Sequence, residues 1–289
     1  EVCSKQLGLD VQETLDIAQA LYETHKATTY PRSDSGYLPE NMLAEVPTVL
    51  DSLGKTDPGL CPLIDRLDRN QRSRAWNDGK VSAHHGIIPT LEPANLSAMN
   101  EKELAVYRLI RAHYLAQFLP HHEFDRTVAQ FSCGSQSLAA VGKQIAVTGW
   151  REVLATPGPD DADGEDSQRS QVLPALHAGL PCPVGKVDLE ALKTLPPKPY
   201  TQGELVKAMK TVAKFVTDPR LKQKLRDTTG IGTEATRANI INGLIGRGYL
   251  VKKGPAVRAS DAALTLIDAV PSAIADPGTT AVWEQALDM

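Results

Sequence analysis

Apolar residues at Val11, Leu15, Ala18, Leu21 and Tyr22 recur at intervals of three and four, which predicts a helix with one buried face. Asp10-Val11-Gln12-Glu13 ahead of them resembles a capping box, in which side chains satisfy the first free N–H groups of a helix. Asn100-Glu101-Lys102-Glu103 reads the same way and opens a helix through about Leu119, with Leu104, Tyr107, Leu109, Ile110, Tyr114 and Phe118 mostly on one side. After Pro120 the period changes: Phe124 to Phe131 and Ser137 to Thr148 alternate or run apolar as strands do, and Gly149-Trp150 closes them. Thr201-Gln202-Gly203-Glu204 caps a further helix carrying Leu205, Val206, Met209, Val212, Ala213 and Val216. Gly230-Ile231-Gly232 then turns into a helix expected to start near Thr233, followed by a strand at Tyr249-Leu250-Val251 and a basic turn at Lys252-Lys253-Gly254.

Breaks between these elements suggest the organisation. Between Asn41 and Asn77 short helical pieces alternate with Pro and Gly; residues 156–171 are acidic and Pro/Gly-rich and read as a mobile loop. Leu195-Pro196-Pro197-Lys198-Pro199 is a stiff connector and marks a boundary. Three segments result: 1–119, 120–195 and 196–289. In the last, helix, strand and turn follow each other as in a winged-helix unit, a relative of the helix-turn-helix shapes that bind nucleic acid.

At 289 residues the chain is long enough for two or three domains, and its 42% hydrophobic content supplies a sizeable core. No apolar run approaches the roughly 18 residues of a membrane span, and Glu1-Val2-Cys3-Ser4 does not read as a signal peptide, so no membrane partner is expected. Without an initiator methionine the sequence reads as a piece of a longer protein. Cys3, Cys61, Cys133 and Cys182 are widely spaced and form no Cys-x-x-Cys pair, which reads as reduced cytoplasmic thiols rather than a zinc ribbon or a disulfide scaffold. The net charge of -4 argues against nucleic acid until it is located: between Lys198 and Arg258 thirteen Lys and Arg stand against four acidic residues, a local balance of +9.

The stretch with the most chemistry is Ala27 to Pro39. Tyr30 precedes Pro31 and is therefore pushed out of the helical region, to an exposed strand end. Arg32 supplies a planar fork of donors suited to a phosphate, and Ser33, Asp34 and Ser35 are turn formers. A phenol beside an anion holder suggests nucleophilic attack on phosphorus, although a free tyrosine, with a pKa of about 10, needs a nearby cation, base or metal-polarised phosphate to act at neutral pH. An isolated Tyr-Pro-Arg reads better as an ordinary strand aromatic with a solvated neighbour. His84 and His85 are adjacent, so on a strand they point to opposite faces and rarely chelate one ion together. Glycines ahead of a helix, as at Gly230 and Gly232, leave backbone N–H groups open to an anion, and Thr233 and Thr236 add hydroxyls while Arg237 and Arg247 add charge.

Three blocks taken together carry a resemblance. Thr29-Tyr30-Pro31-Arg32-Ser33-Asp34-Ser35 resembles the active-site signature of the type IA DNA topoisomerases, in the form closest to the topoisomerase III branch. Ser82-Ala83-His84-His85-Gly86-Ile87-Ile88-Pro89-Thr90 is similar to the histidine block that follows the tyrosine, with Gly86 where alanine is expected. Gly230-Ile231-Gly232-Thr233-Glu234-Ala235-Thr236-Arg237-Ala238 matches the glycine-threonine block near the single-stranded DNA groove. The resemblance implies a multidomain α+β fold in which helical winged-helix-like domains, 1–119 with the tyrosine and 196–289, are joined by a β-rich arch, of which 120–195 is the incomplete second half. It implies Tyr30 as the nucleophile, Arg32 on the scissile phosphate and His84 assisting. Ser33, Asp34, Ser35, Gly232, Thr233, Thr236, Arg237 and Arg247 would contact single-stranded DNA. Magnesium and the acid–base carboxylates would lie in an N-terminal Toprim half ahead of Glu1, with none bound by this chain. A helicase and a single-strand-binding protein are implied partners of a bacterial, nucleoid-associated enzyme. Asp161-Ala162-Asp163-Gly164-Glu165 has the spacing of the family's magnesium triplet but sits in a low-complexity loop downstream of the tyrosine, and is set aside.

Three functions therefore compete: a portion of a type IA topoisomerase that cleaves and reseals single-stranded DNA without ATP, a non-catalytic winged-helix DNA-binding module, and a histidine-dependent metal hydrolase. On the first, the chain alone is expected to bind single-stranded DNA weakly and not to cleave it.

Overall fold

Polar side chains cap three of the helices that the sequence pattern predicts, at Asp10, Asn100 and Thr201. The computed structural model describes residues 1–154 except 34 and 82, and residues 172–287 except 189, 190, 192, 195 and 229. Asp34, the acidic stretch 156–171 and its Asp161-to-Glu165 spacing lie outside the described residues. The architecture is mixed helix and sheet, and the chain divides into two units, Glu1–Pro58 with Ala75–Ile110 and Pro197–Met289, and Gly59–Arg74 with Arg111–Pro196.

In the first unit a short helix Val2–Leu7 (α1) precedes Val11–Glu23 (α2), where the Asp10 carboxylate accepts a hydrogen bond from the Glu13 N–H at 2.8 Å. Helix α2 buries Ile17, Ala18 and Leu21, while Leu15 and Tyr22 are half-buried, so the buried stripe is turned toward Ile17 relative to the predicted one. Val46–Thr56 (α3) buries Val49, Leu50 and Leu53. Each such aliphatic side chain contributes roughly 1.5–3 kcal/mol by leaving water.

The second unit includes the single turn Cys61–Ile64 (α4) and resumes at Arg111, in the last third of Glu101–Leu115 (α5). The start of α5, in the first unit, carries a complete capping box: Asn100 Oδ1 accepts from the N–H groups of Lys102 and Glu103, and the Glu103 carboxylate accepts from the Asn100 N–H. Ile64, Leu67, Tyr114, Leu115, Phe118 and Leu119 are buried in the second unit, where the Gln71 side chain donates to the carbonyls of Gln117 and Leu119 at 3.2 and 2.6 Å. From there Glu123–Cys133 (β1) and Gln136–Val147 (β2) form an antiparallel hairpin with Val128 opposite Val141. Its two-residue loop, Gly134-Ser135, has a φ of 60° at Gly134, which suits the right-handed twist of the strands. The base is clasped by the Trp150 N–H to the Pro120 carbonyl, 3.0 Å.

The last third of the chain returns to the first unit. Its helices are Gln202–Lys210 (α6), Pro219–Asp227 (α7), Arg237–Gly246 (α8), Asp261–Ala269 (α9), Ser272–Ala275 (α10) and Gly278–Leu287 (α11). Val212, Ala213, Val216, Leu225 and Ala281 form a buried cluster, with Leu221 and Ile231 packed against it. Leu250–Lys253 (β3) and Ala256–Ala259 (β4) pair antiparallel after α8, and Val257 donates its N–H to Tyr200 across a third extended segment. Contacts between residues about two hundred positions apart bind the two ends of the chain: buried Gln202 accepts from the Val11 N–H at 3.2 Å, and Lys5 pairs with Glu204 at 3.2 Å.

Helix α6 carries both halves of its capping box, Thr201 with Glu204. The Thr201 N–H, and then Lys5, hold the Glu204 carboxyl below the usual carboxylate range. Since its folded pKa lies below the unfolded value of about 4.3, this stabilisation is present above that pH and is lost as pH falls through the folded value. Glu204→Gln, which can still accept from the Thr201 N–H, is expected to be less stable at pH 7 and to lose less stability between about pH 5 and pH 3. Thermal unfolding at a series of pH values reads this, and equal acid slopes for the two proteins would contradict it.

Candidate functional site

The tyrosine stretch is positioned from both ends. Lys26, three residues after α2, has a φ of 51°, a left-handed conformation that costs an L side chain about 1–2 kcal/mol, and the Ala27 N–H donates back to the Leu21 carbonyl at 2.8 Å. Beyond this turn the chain is extended and pairs with the histidine block. Thr29 donates its N–H to the Ile88 carbonyl at 2.9 Å, Ile88 returns one to Thr29 Oγ1 at 3.0 Å, and Thr90 donates to the Ala27 carbonyl at 3.2 Å. Thr28, 1% exposed, forms the bridge to Pro89. Two segments sixty residues apart in sequence are thus fixed side by side.

That pairing brings the rings together. Tyr30 is 37% exposed and stacks on His84 with ring centroids 4.8 Å apart and 28° between planes. Tyr22, at the end of α2, meets the Tyr30 ring edge-on at 5.6 Å and 86°. Aromatic pairs of this kind contribute about 0.5–1.5 kcal/mol each beyond their buried area. Tyr22 is a residue that the sequence reading placed only on a buried helical face; periodicity marks its side of the helix and carries no signal of its contact with Tyr30.

The remaining residues of the two blocks divide between scaffold and free groups. Ser33 Oγ accepts from the Ser35 N–H at 3.2 Å, Ser35 Oγ accepts from the Tyr37 N–H at 3.0 Å, and Ser35 Oγ donates to the Lys80 carbonyl at 3.3 Å, so both serines shape the turn. Arg32 is exposed and has no hydrogen-bond or ion-pair partner among the described residues. His85 uses Nδ1 toward the Gly86 carbonyl at 2.8 Å, and the Gly86 N–H donates to the Tyr37 carbonyl at 2.7 Å, which joins the histidine block to the turn after the tyrosine.

The glycine-threonine block folds differently from the expectation of open N–H groups. Gly230 has a φ of 77°, and a Cβ there would lie 2.4 Å from the Met209 carbonyl oxygen, so only glycine lets the loop approach the end of α6. Helix α8 starts at Arg237 rather than near Thr233, because the Thr233 carbonyl accepts from the N–H groups of both Thr236 and Arg237 in a preceding turn. The Thr233 N–H is itself taken by Thr236 Oγ1 at 2.8 Å, so these three donors are used within the loop. Thr233 and Thr236 are exposed, as is Arg247 at the other end of α8. Arg237 is 1% exposed: Nε donates to the Ile231 carbonyl at 3.1 Å, Nη2 to the Gly232 carbonyl at 2.9 Å, and Nη1 to Glu234 at 2.8 Å. Helix α2, which leads to Tyr30, packs against α8, which leaves this loop, so the two blocks share one helix contact.

Among the described residues no group of three or more His, Cys, Asp or Glu side chains is placed to hold a metal ion. The resemblance assigns magnesium to an N-terminal half and not to these residues, and no step below is routed through it.

The chain as a whole is similar to known proteins. The sequence model of one family, DNA topoisomerase, matches residues 1–289. DNA topoisomerase 3 of Pasteurella multocida is 41% identical over 286 residues, covering 98% of this chain and 43% of that protein. DNA topoisomerase 3 of Haemophilus influenzae is 40% identical, covering 98% and 42%, and that of Bacillus subtilis is 35% identical, covering 98% and 39%. In fold, the chain is similar to full-length topoisomerase I from Thermotoga maritima, with a TM-score of 0.60 at 21% identity over 99% of this chain and 44% of that one. The chain thus spans less than half the length of these relatives.

Gly86, which stands where alanine is expected, does not need to be glycine. It has no left-handed φ, and an added Cβ would rest 3.4 Å from Gly36 and 3.5 Å from the Tyr37 carbonyl, ordinary contact distances. Gly86→Ala is expected to stabilise the chain by about 0.4–1 kcal/mol through the unfolded state. A denaturant titration with a lower midpoint for the variant would show that the histidine block is more tightly packed than this.

Proposed function

The chain belongs to the type IA DNA topoisomerase family, and from that premise we propose that it is the portion that performs strand cleavage and holds the cut strand. In this reading Tyr30 Oη attacks the phosphorus of a phosphodiester in single-stranded DNA. The bond to the 3′-oxygen breaks as the bond to Oη forms, leaving a 5′-phosphotyrosyl link and a 3′-hydroxyl. The phenol gives up its proton and the leaving 3′-oxygen takes one. Because one phosphoester replaces another, the reverse attack by the 3′-hydroxyl reseals the strand without ATP, and strands can pass while it is open.

The observation that carries the reading is the Tyr30–His84 stack beside an exposed Arg32. The His84 imidazole against the phenol ring is within reach of a phosphate brought to Tyr30 and can hydrogen-bond it, and Arg32 is a bidentate donor for the scissile phosphate. Ser33 and Ser35 shape the turn that presents Arg32 to the strand. Gly232, Thr233 and Thr236, with Arg237 behind them and Arg247 beyond, hold the DNA on the upstream side within a winged-helix-like region, residues 196–289. Residues 1–119 are then the tyrosine domain and 120–195 an arch segment. Magnesium and acid–base carboxylates belong to a Toprim-bearing N-terminal half, and a helicase and a single-strand-binding protein are the partners of the whole enzyme in the bacterial nucleoid.

The test uses a 3′-labelled single-stranded oligonucleotide with magnesium, offered to the chain alone, to the chain with a separately made N-terminal half of a topoisomerase 3, and to that mixture carrying Tyr30→Phe. Label is expected to migrate with protein only in the complete mixture and to fall by roughly a thousand-fold or more with Tyr30→Phe. Protein-bound label that persists in Tyr30→Phe assigns the nucleophile elsewhere, and clear DNA binding with no label in any mixture favours a binding module.

A further inference from the structure

We infer that Arg237 is a positioning residue of the single-strand-binding loop, setting its shape from inside, and not a phosphate contact. The inference rests on the reading of this loop as a strand-binding element. A guanidinium is a rigid planar fork, and here its three nitrogens serve three different acceptors: the Ile231 carbonyl, the Gly232 carbonyl and the Glu234 carboxylate. Glu234 is held in turn by Lys210, 3.1 Å away at the end of α6. The carbonyls belong to the residues on either side of the Ile231-Gly232 peptide, directly after Gly230, where the loop touches the Met209 carbonyl and Ile231 donates its N–H to the same oxygen at 3.1 Å.

A buried charge is tolerated only when it is paired and hydrogen-bonded, and at 1% exposure Arg237 meets that condition through the loop itself. Turning it outward to a phosphate would break its bonds to both carbonyls and leave the Glu234 carboxylate to Lys210 alone. The loop therefore has two sides. Thr233 and Thr236 face solvent with hydroxyls joined at 3.0 Å, and Arg237 braces the backbone beneath them. Lysine cannot replace it, because one ammonium cannot span three acceptors in a fixed plane.

Shape and charge are separable by salt. Binding of a fluorescein-labelled oligothymidine by the full chain is followed by anisotropy over a range of salt concentrations, for the wild type, Arg247→Ala, Arg237→Lys, Arg237→Gln and Glu234→Ala. Loss of one phosphate contact lowers the slope of log K against log salt by about 0.7 for a single strand. Arg247→Ala is expected to do so. Arg237→Lys and Arg237→Gln are expected to weaken binding about tenfold with the wild-type slope, and Glu234→Ala to weaken it although it makes the loop more positive. Arg237→Lys binding as wild type while Arg237→Gln lowers the slope, or Glu234→Ala binding more tightly, would overturn the inference. Amide hydrogen exchange on the same variants decides independently of DNA: exchange at Ile231, Thr233 and Arg237 should quicken in Arg237→Lys while the later turns of α8 stay protected, and unchanged exchange there would also overturn it. A wild-type chain that binds no oligothymidine at low salt would instead count against the strand-binding reading, with the exchange result still judging the role of Arg237.

Discussion

The candidate chemistry depends on one short piece of backbone pairing, between Ala27–Thr29 and Ile88–Thr90. A tyrosine at a strand end is unremarkable by itself. Paired to a segment that arrives sixty residues later, it gains an imidazole stacked on its ring, and the turn at Lys26 lets α2 bring Tyr22 to the other side. The bridge at Thr28 and Pro89 lies in the buried interior, so the extended segments are anchored while Tyr30 remains accessible. The phenol is therefore oriented by the fold itself, which in the proposed reaction would lower the cost of ordering it.

The second block works by a related economy. Its glycines let the chain touch α6, its threonines consume the first N–H groups of the loop, and a buried arginine binds the result together. What remains at the surface is a pair of hydroxyls on a stiff backbone and, one helix later, the exposed Arg247. Helix α2 packs on the helix that leaves this loop, so the element leading to the tyrosine and the element leading from the loop support each other. This gives a physical reason for the first and last parts of the chain to belong to one unit.

Much of this was legible in the sequence where the determining forces are local. Asp10, Asn100 and Thr201 all cap helices because a cap and its N–H groups lie within three residues, and the two strands between Glu123 and Val147 show in alternating or apolar runs, though not their pairing through the Gly134-Ser135 turn. The three blocks were legible as patterns of residue type. Distant contacts were not: nothing in the periodicity of α2 distinguishes Tyr22 as the neighbour of Tyr30, and its buried stripe includes Ile17, which the spacing omitted. Charge was the least reliable guide. Arg237 and Arg247 read alike in a basic segment, yet one is enclosed by carbonyls and the other is exposed. The start of α8 moved by four residues for a similar reason, since the Thr233 carbonyl and Thr236 hydroxyl compete for donors that a helix or an anion would otherwise take.

The central claim is that Tyr30, oriented by His84 and Tyr22, is the atom donor of the covalent link to DNA. Its most direct measurement is mass spectrometry of the covalent adduct trapped on a reconstituted enzyme containing this chain, after nuclease and protease digestion. The account predicts a nucleotide phosphate on the phenol of Tyr30 in the peptide that also contains Arg32. A nucleotide found on Tyr37 or on any other side chain, with the Tyr30 peptide unmodified, would contradict it.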